Sequence, residues 1–222
     1  MSLSNQAAAR VAVVTGGHSY DVVNFHKLFR SLPEADVYVQ HMDDYAASST
    51  EVRAAYDVVV FYSMLTETPP EKGLPWYCGK PKQAIEELGR PGQGIVILHH
   101  AILAYLDWPL WAGLVGINDR KFTYHFNQQV NVKVPGASHP IVRGLGPWTM
   151  TDETYLMADA GEGCQVLLTT DHPKSLKTLA WTREHRGSRV FVFQCGHDNA
   201  AWANEDFREV LRRGIFWSAG RS

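Results

Sequence analysis

Three apolar runs of this sequence lead into histidine. The runs cover residues 11–15, 95–98 and 190–194, and the histidines that follow them are His18, His99, His100 and His197. Short runs rich in β-branched and aromatic residues are typical of buried strands in a parallel sheet. The carboxyl ends of such strands share one edge, where α/β proteins bind ligands. The sequence therefore predicts that the histidines converge on a crevice, where imidazoles can transfer protons or bind a metal.

The two adjacent histidines are not expected to act together. If the strand continues through His99 and His100, their side chains point to opposite faces. Only one of them would then face the crevice, and the other would be a buried, hydrogen-bonded histidine. At the first run, Gly17 lets backbone amides approach a ligand closely beside His18. The surrounding residues match neither the G-x-G-x-x-G fingerprint nor a P-loop.

An acidic pair, Asp152 and Glu153, lies in a stretch of apolar and aromatic residues over 148–156. Burying a carboxylate is costly unless it is paired or used. At least one of the two is therefore expected to face the crevice, near a histidine or a bound ion. There it would act as a base, bind a metal or fix a histidine tautomer. His197 is followed by Asp198, and this pair at the end of the last apolar run is a further catalytic candidate.

Four residues are candidates for contacts with a substrate: Gly17, His125, Arg143 and Trp202. His125 lies in an aromatic segment that would suit a lid. Arg143 would either clamp a hydroxyl-rich ligand or hold its own loop to a carboxylate, and the second interpretation is favoured. Trp202 offers a flat apolar face on which a ring could stack, although core packing is its alternative.

Nucleophilic catalysis is not favoured. The sequence has no Gly-x-Ser-x-Gly elbow. Cys195 lies in an apolar run, where a thiol tends to be inert, and Cys78 has no nearby partner histidine. The three cysteines cannot all pair and lack the spacing of a zinc site, which indicates a reduced, cytoplasmic setting.

The composition narrows the class of protein. The chain has 222 residues, 45% of them apolar, and a net charge of −2. No basic block stands out, so nucleic acid is not expected as a partner, and no apolar run is long enough to span a membrane. We expect one domain over 10–220 that binds a small molecule, with a homo-oligomer left open. Residues 1–9 are expected to be a disordered extension or residues added for expression.

Strand and helix patterns alternate along the first two thirds of the chain. Strands are predicted over 11–15, 36–40, 56–62, 94–98, 165–170, 178–182 and 189–194, with an antiparallel excursion over 122–134. Helices are predicted over 21–31, with Asp21 as N-cap, over 81–88, and after Asn204. The segment 139–155 is expected to be rich in loops. The alternation predicts a three-layer α/β sandwich.

Several motifs together resemble the ThuA-like (trehalose utilisation) family. They are 13–18 (VVTGGH), 94–101 (GIVILHHA), Trp108 and Trp111, 114–116 (LVG), 138–145 (SHPIVRGL), 152–155 (DETY), 196–198 (GHD) and 213–217 (RGIFW). The resemblance implies a flavodoxin-like three-layer sandwich with a mostly parallel central sheet, as in class I glutamine amidotransferases. It also implies a role in sugar catabolism, on trehalose-like disaccharides or their 3-keto forms.

The sequence departs from the amidotransferases where their nucleophile would stand. His99 and His100 occupy the position of the cysteine, and His197-Asp198 replaces the His-Pro-Glu after the last strand. The leading hypothesis is a sugar isomerase, lyase or hydrolase that uses histidine and carboxylate acid–base chemistry, and not a glutaminase. Two alternatives stay open: a non-catalytic sugar-binding or partner module of a sugar oxidoreductase, and a metal-dependent hydrolase. A divalent metal is the one cofactor under consideration.

Overall fold

A computed structural model describes residues 7–71, 75, 78–89 and 92–221 of the chain. Residues 1–6 of the predicted N-terminal extension lie outside the described residues, as do parts of the proline-containing loop after Thr66. The predicted extension over 1–9 is too long at its C-terminal end, because Ala9 is fully buried and already belongs to the first strand.

The strands are β1 (Ala9–Gly16), β2 (Ala35–His41), β3 (Val58–Ser63), β4 (Gly94–Leu98), β5 (Thr123–Val132), β6 (Trp148–Leu156), β7 (Gln165–Thr169), β8 (Thr178–His185) and β9 (Ser188–Phe193). The helices are α1 (Val22–Arg30), α2 (Met42–Ala47), α3 (Thr50–Ala54), α4 (Pro81–Glu86), α5 (Pro109–Val115), α6 (Asn199–Ala203) and α7 (Glu205–Ser218), and a 3₁₀ helix covers His99–Leu103. No helix in the described ranges is long and apolar enough to cross a membrane.

Seven strands form the central sheet, in the order β2-β1-β3-β4-β9-β8-β7. The first five are mutually parallel, and β8 pairs antiparallel with both β9 and β7. Counted in chain order, the parallel strands follow the 2-1-3-4-5 order of flavodoxin. One apolar core lies on each face of the sheet, beneath the helices. The predicted α/β class with a mostly parallel sheet is confirmed.

Strands β5 and β6 form a separate antiparallel hairpin. The expected antiparallel excursion corresponds to β5. The expected loop over 139–155 is wrong from Trp148 onwards, because that part is β6. The second half of β6 lacks the alternation of apolar and polar residues that identifies a strand. Four consecutive residues there are buried, namely Asp152, Glu153, Thr154 and Tyr155.

Helix α7 packs against β9, the strand whose end supplies His197. Asn204 caps this helix as predicted, and its side chain accepts a hydrogen bond from the amide of Phe207 at 2.9 Å. The closest approach is at Gly214, where an added Cβ would overlap the ring of Phe191. Glycine is therefore required there by packing, not by backbone conformation.

A Gly214→Ala substitution should destabilise the protein, whereas Gly113→Ala in α5 should not. Both residues lie inside helices, so each alanine gains about 0.5–1 kcal/mol of helix propensity. Nothing lies within 4 Å of a Cβ at Gly113, but at Gly214 overpacking costs about 1–3 kcal/mol. Urea unfolding of both variants measures the difference. Equal stabilities would contradict the packing that we describe between α7 and β9.

Candidate active site

The predicted convergence of His18, His197 and one of His99 and His100 is present in the structure, which brings all four histidines together. The ring centroids are 4.5 Å apart for His18 and His100, 5.6 Å for His18 and His197, and 5.2 Å for His99 and His197. The histidines follow β1, β4 and β9, whose carboxyl ends share one edge of the sheet. We call these four residues the histidine cluster.

His99 and His100 both belong to the cluster, so the prediction that they point to opposite faces is wrong. Strand β4 ends at Leu98, and His99, the first residue of the 3₁₀ helix, adopts a left-handed conformation with φ of 51°. The turn brings the two rings to 5.4 Å from each other. Such a conformation costs a non-glycine residue about 1–2 kcal/mol and is typical of functional sites.

The tautomer of His99 is fixed by its neighbours. Its Nδ1 lies 2.6 Å from the carbonyl oxygen of Gln194, which can only accept, so Nδ1 carries the proton. The hydroxyl of Tyr155 then donates to the lone pair on Nε2 at 2.7 Å. Burial, helped by the nearby His100 and His197, lowers the pKa of His99 well below its ordinary value. His99 is therefore a neutral imidazole.

Asp152 is a brace between β6 and the segment after β9. Its carboxylate accepts hydrogen bonds from three backbone amides, those of Glu153 at 2.9 Å, Gly196 at 2.7 Å and His197 at 3.0 Å. Burial raises the pKa of Asp152 to about 7, and the three amides act in the opposite direction. The predicted catalytic candidate Asp152 thus holds the backbone of His197 in place.

Glu153 is the carboxylate that reaches the cluster. One of its oxygens lies 3.2 Å from Nε2 of His197, and the other lies 3.9 Å from Nε2 of His99. Its side chain is only 7% exposed, and burial raises the pKa of the carboxyl. The expectation that at least one of the acidic pair lies beside a histidine agrees with this geometry.

His18 is the part of the cluster nearest to open space. Its Nδ1 lies 2.7 Å from the carbonyl oxygen of Ser19, so Nδ1 donates and the neutral ring has its lone pair on Nε2. Gly17 makes the turn possible with φ of 74°, and a Cβ there would lie 2.5 Å from the carbonyl oxygen of Met64. Open clefts of about 510 Å³ flank the turn on both sides. This size suits a small-molecule ligand.

His100 is the unusual member of the cluster. It is 1% exposed, and neither ring nitrogen has a hydrogen-bond partner among the described residues. Burial and the nearby His18 and His197 lower the pKa of His100 well below its ordinary value. Its ring lies 4.1 Å from that of Tyr62, whose hydroxyl donates to the carbonyl oxygen of His197 at 2.9 Å.

Two predicted substrate-binding residues are placed elsewhere. Trp202 is 5% exposed and donates its indole N–H to the carbonyl oxygen of Gly196 at 2.9 Å, so its ring packs in the core and cannot stack on a ligand. Arg143 lies beside α7, where Arg213 donates to its carbonyl oxygen. The guanidinium of Arg143 donates to the carbonyl oxygen of Ser138, at 3.4 Å, and not to the carboxylate we expected.

His125 and Asp198 lie at the edges of the site. His125 pairs with Thr154 in the hairpin. It interacts electrostatically with His172, which does not belong to the histidine cluster. Asp198 caps α6 by accepting from the amide of Ala200, and its carboxylate lies 3.8 Å from Nδ1 of His197.

The sequence analysis missed two aromatic contacts of the cluster. Tyr155 donates to His99, and its position two residues after Glu153 on β6 is the signal that would have identified it. Phe126 lies 5.5 Å from the ring of His197 and is 53% exposed. It occupies a bulge that places it opposite Glu153, and no periodicity in the sequence predicts such a bulge.

No cysteine follows β4, whose next two residues are His99 and His100. Cys195 is buried, and its thiol interacts with the Asp152 carboxylate. Burial raises the pKa of the Cys195 thiol well above its ordinary value, which leaves it unreactive.

A His100→Leu substitution should change how stability depends on pH. Below the ordinary histidine pKa of 6.5, His100 gains a proton in the unfolded chain but not in the folded one, so it lowers stability as the pH falls. Leucine removes this loss. The free energy of unfolding of the variant, relative to the parent protein, should therefore rise by about 1 kcal/mol from pH 6.5 to pH 5.5.

Urea unfolding of both proteins at the two pH values measures this difference. The titratable neighbours are present in both proteins, so their own contributions largely cancel; they are His18, Tyr62, His99, Asp152, Glu153 and His197. A difference that stays constant with pH would show that His100 is not held neutral.

Comparison with known proteins shows which family and which solved structures this chain is similar to. The family model for ThuA, described as trehalose utilisation, matches residues 10–218. No curated protein sequence matches the chain.

Solved structures share the fold at low sequence identity. A protein named as ThuA-like from Parabacteroides merdae is 19% identical with a TM-score of 0.75, and the match covers 96% of this chain and 90% of that one. Another protein named as ThuA-like, from Bacteroides uniformis, is 16% identical with a TM-score of 0.74, covering 98% and 94%. The cytoplasmic protein STM3548 from Salmonella typhimurium is 12% identical with a TM-score of 0.65, covering 94% and 98%.

Proposed function

The chain belongs to the ThuA family, and from that premise we propose that it is an enzyme that transfers protons on a trehalose-like disaccharide or its 3-keto derivative. The observation that carries the proposal is the contact of Glu153 with His197 at 3.2 Å, with the ring of His18 5.6 Å from that of His197. A base and an electrophilic group therefore lie next to each other at one edge of the sheet.

His18 is suited to remove a proton from the substrate. Its Nδ1–H is held by the carbonyl of Ser19, so the lone pair on Nε2 is free, and the residue borders an open cleft. His197 and Glu153 together are suited to polarise an oxygen, because the carboxylate lies beside the ring and stabilises a positive charge on it.

A 3-keto disaccharide matches this arrangement. Its keto group acidifies the hydrogen on C2, and His18 takes that proton while the electron pair forms an enolate whose oxygen is stabilised by His197. The enolate then expels the glycosidic oxygen from C1, and that oxygen takes up a proton. The products are an unsaturated keto sugar and a free sugar. Return of the proton to the enolate instead gives an isomer.

We expect Glu153→Gln and His18→Gln each to reduce turnover by roughly 10²–10⁴-fold, the range typical of a lost acid or base. The melting temperature should change much less than the rate. Glu184→Gln is the matched control, since Glu184 is an exposed carboxylate on β8. The assay incubates the purified protein with a 3-keto disaccharide and follows the unsaturated sugar and the released monosaccharide.

Other outcomes of this assay would overturn the proposal. Saturable binding with no product would favour the sugar-binding or partner module. Release of a saturated keto sugar, with oxygen from water in the product, would favour the metal-dependent hydrolase. Unchanged turnover in both variants would remove His18 and Glu153 from the reaction. A cytoplasmic setting, a possible homo-oligomer, and the lack of nucleic-acid and membrane partners stay predictions.

A further inference from the structure

We propose that His99, Glu153 and His197 form a binding site for one divalent transition-metal ion. The binding itself depends only on these residues. The role that we assign to the ion, polarising the sugar oxygen in place of a protonated His197, rests on the proposed function.

The three side chains present their donor atoms to a common point. One ring nitrogen of each histidine and one oxygen of Glu153 all lie within 4.8 Å of one another. Nε2 of His197 lies 3.2 Å from one oxygen of Glu153, and Nε2 of His99 lies 3.9 Å from the other. With metal–donor bonds of roughly 2.0–2.2 Å, donors around one ion lie about 3–3.5 Å apart. Small side-chain movements therefore complete the site.

The surroundings of His99 are those of a metal ligand. A ligating histidine usually donates its other ring N–H to a carbonyl or carboxylate, and Nδ1 of His99 donates to the carbonyl of Gln194 at 2.6 Å. This leaves Nε2 as the ligand atom. The hydroxyl of Tyr155 now occupies that lone pair, but it also interacts with Glu153 and can keep that second contact when an ion binds.

The backbone of His197 is fixed as well. Its amide donates to Asp152 at 3.0 Å, and its carbonyl oxygen accepts from the hydroxyl of Tyr62 at 2.9 Å. Both contacts hold the ligand-bearing segment without using the imidazole. The main chain of His197 is therefore fixed, and its imidazole lies with Nε2 towards Glu153 and Nδ1 towards Asp198.

A second observation indicates that the cluster lacks a polar neighbour. His100 is buried beside the three donors, and both of its ring nitrogens are without a hydrogen-bond partner among the described residues. Buried polar groups nearly always have a partner. A water molecule bound to an ion in this cluster would supply His100 with a hydrogen-bond partner.

The donor set determines which ions fit. Two imidazoles and one carboxylate suit Zn²⁺, Fe²⁺, Mn²⁺, Co²⁺ and Ni²⁺, whereas Ca²⁺ and Mg²⁺ prefer sites made of oxygen. Three protein ligands leave coordination positions open for water and a substrate oxygen. An ion in this place would act as a Lewis acid on the oxygen that carries the developing charge.

The test is calorimetric titration of chelator-treated, folded protein with Zn²⁺ and with Mn²⁺. We expect one site per chain for at least one of the two ions. Glu153→Gln and His197→Gln should each weaken binding by more than the roughly 10–100-fold typical of a lost outer-shell partner. Two ligand variants are used so that the test does not depend on one of them folding. Even if Glu153→Gln disturbs the fold, His197 lies on a partly exposed segment that tolerates change. His18→Gln is the control and should bind the ion with unchanged affinity.

Absence of saturable binding of either ion would overturn the site, as would equal affinity in the parent protein and both ligand variants. Failure of the proposed function is a separate result, in which the ion binds but no loaded protein converts the sugar. Full turnover by chelator-treated protein would leave the proposed function standing and remove the ion from the reaction.

Discussion

The carboxylate of Asp152 holds together the two parts of the molecule that make the site. It belongs to the hairpin, and it binds the amides of Gly196 and His197 at the end of the central sheet. Hydrogen bonds to a charged group contribute about 1.5–3 kcal/mol each, which offsets part of the cost of burying the carboxylate. The remaining cost is why the pKa of Asp152 is raised. Together with the hydrogen bond from the Gln194 side chain to the carbonyl oxygen of Glu153 at 3.1 Å, this contact fixes Glu153 and Tyr155 relative to the histidine cluster.

The chemistry of the site follows from the crowding of four imidazoles around one carboxylate. Burial and mutual repulsion lower the pKa of His99 and His100 and keep both rings neutral. Neutral rings offer lone pairs, and the carboxylate of Glu153 lies beside both His99 and His197. Proton transfer and metal binding are therefore two uses of the same arrangement.

Most of the fold could be predicted because its central strands, β1, β3, β4 and β9, are buried on both faces. Such strands are continuous apolar runs, and their parallel order brings the residues that follow them to one edge. The convergence of His18 with His197 followed from that rule alone. The two faces assigned to His99 and His100 were wrong, because they assumed a strand that continues through both residues. The strand ends at Leu98, as predicted, and the left-handed turn at His99 depends on tertiary packing.

The hairpin was harder to predict for a different reason. Its strand β6 is buried by contacts with the rest of the protein, so its sequence lacks the alternation that identifies a strand. Trp202 was misjudged because an aromatic ring near a site has the same sequence pattern whether it lines the site or supports it. Its hydrogen bond to Gly196 shows that it supports the loop.

A neutral His99 with its proton on Nδ1 lies beside Glu153, and ¹⁵N NMR of the histidine rings in metal-free protein tests this arrangement most directly. Near pH 7, His99 should show the Nδ1–H tautomer with an unprotonated Nε2, and His100 should also be neutral. Addition of a diamagnetic divalent cation should shift the Nε2 resonance of His99 and leave that of His18 in place. A protonated His99, or the Nε2–H tautomer, would contradict the account.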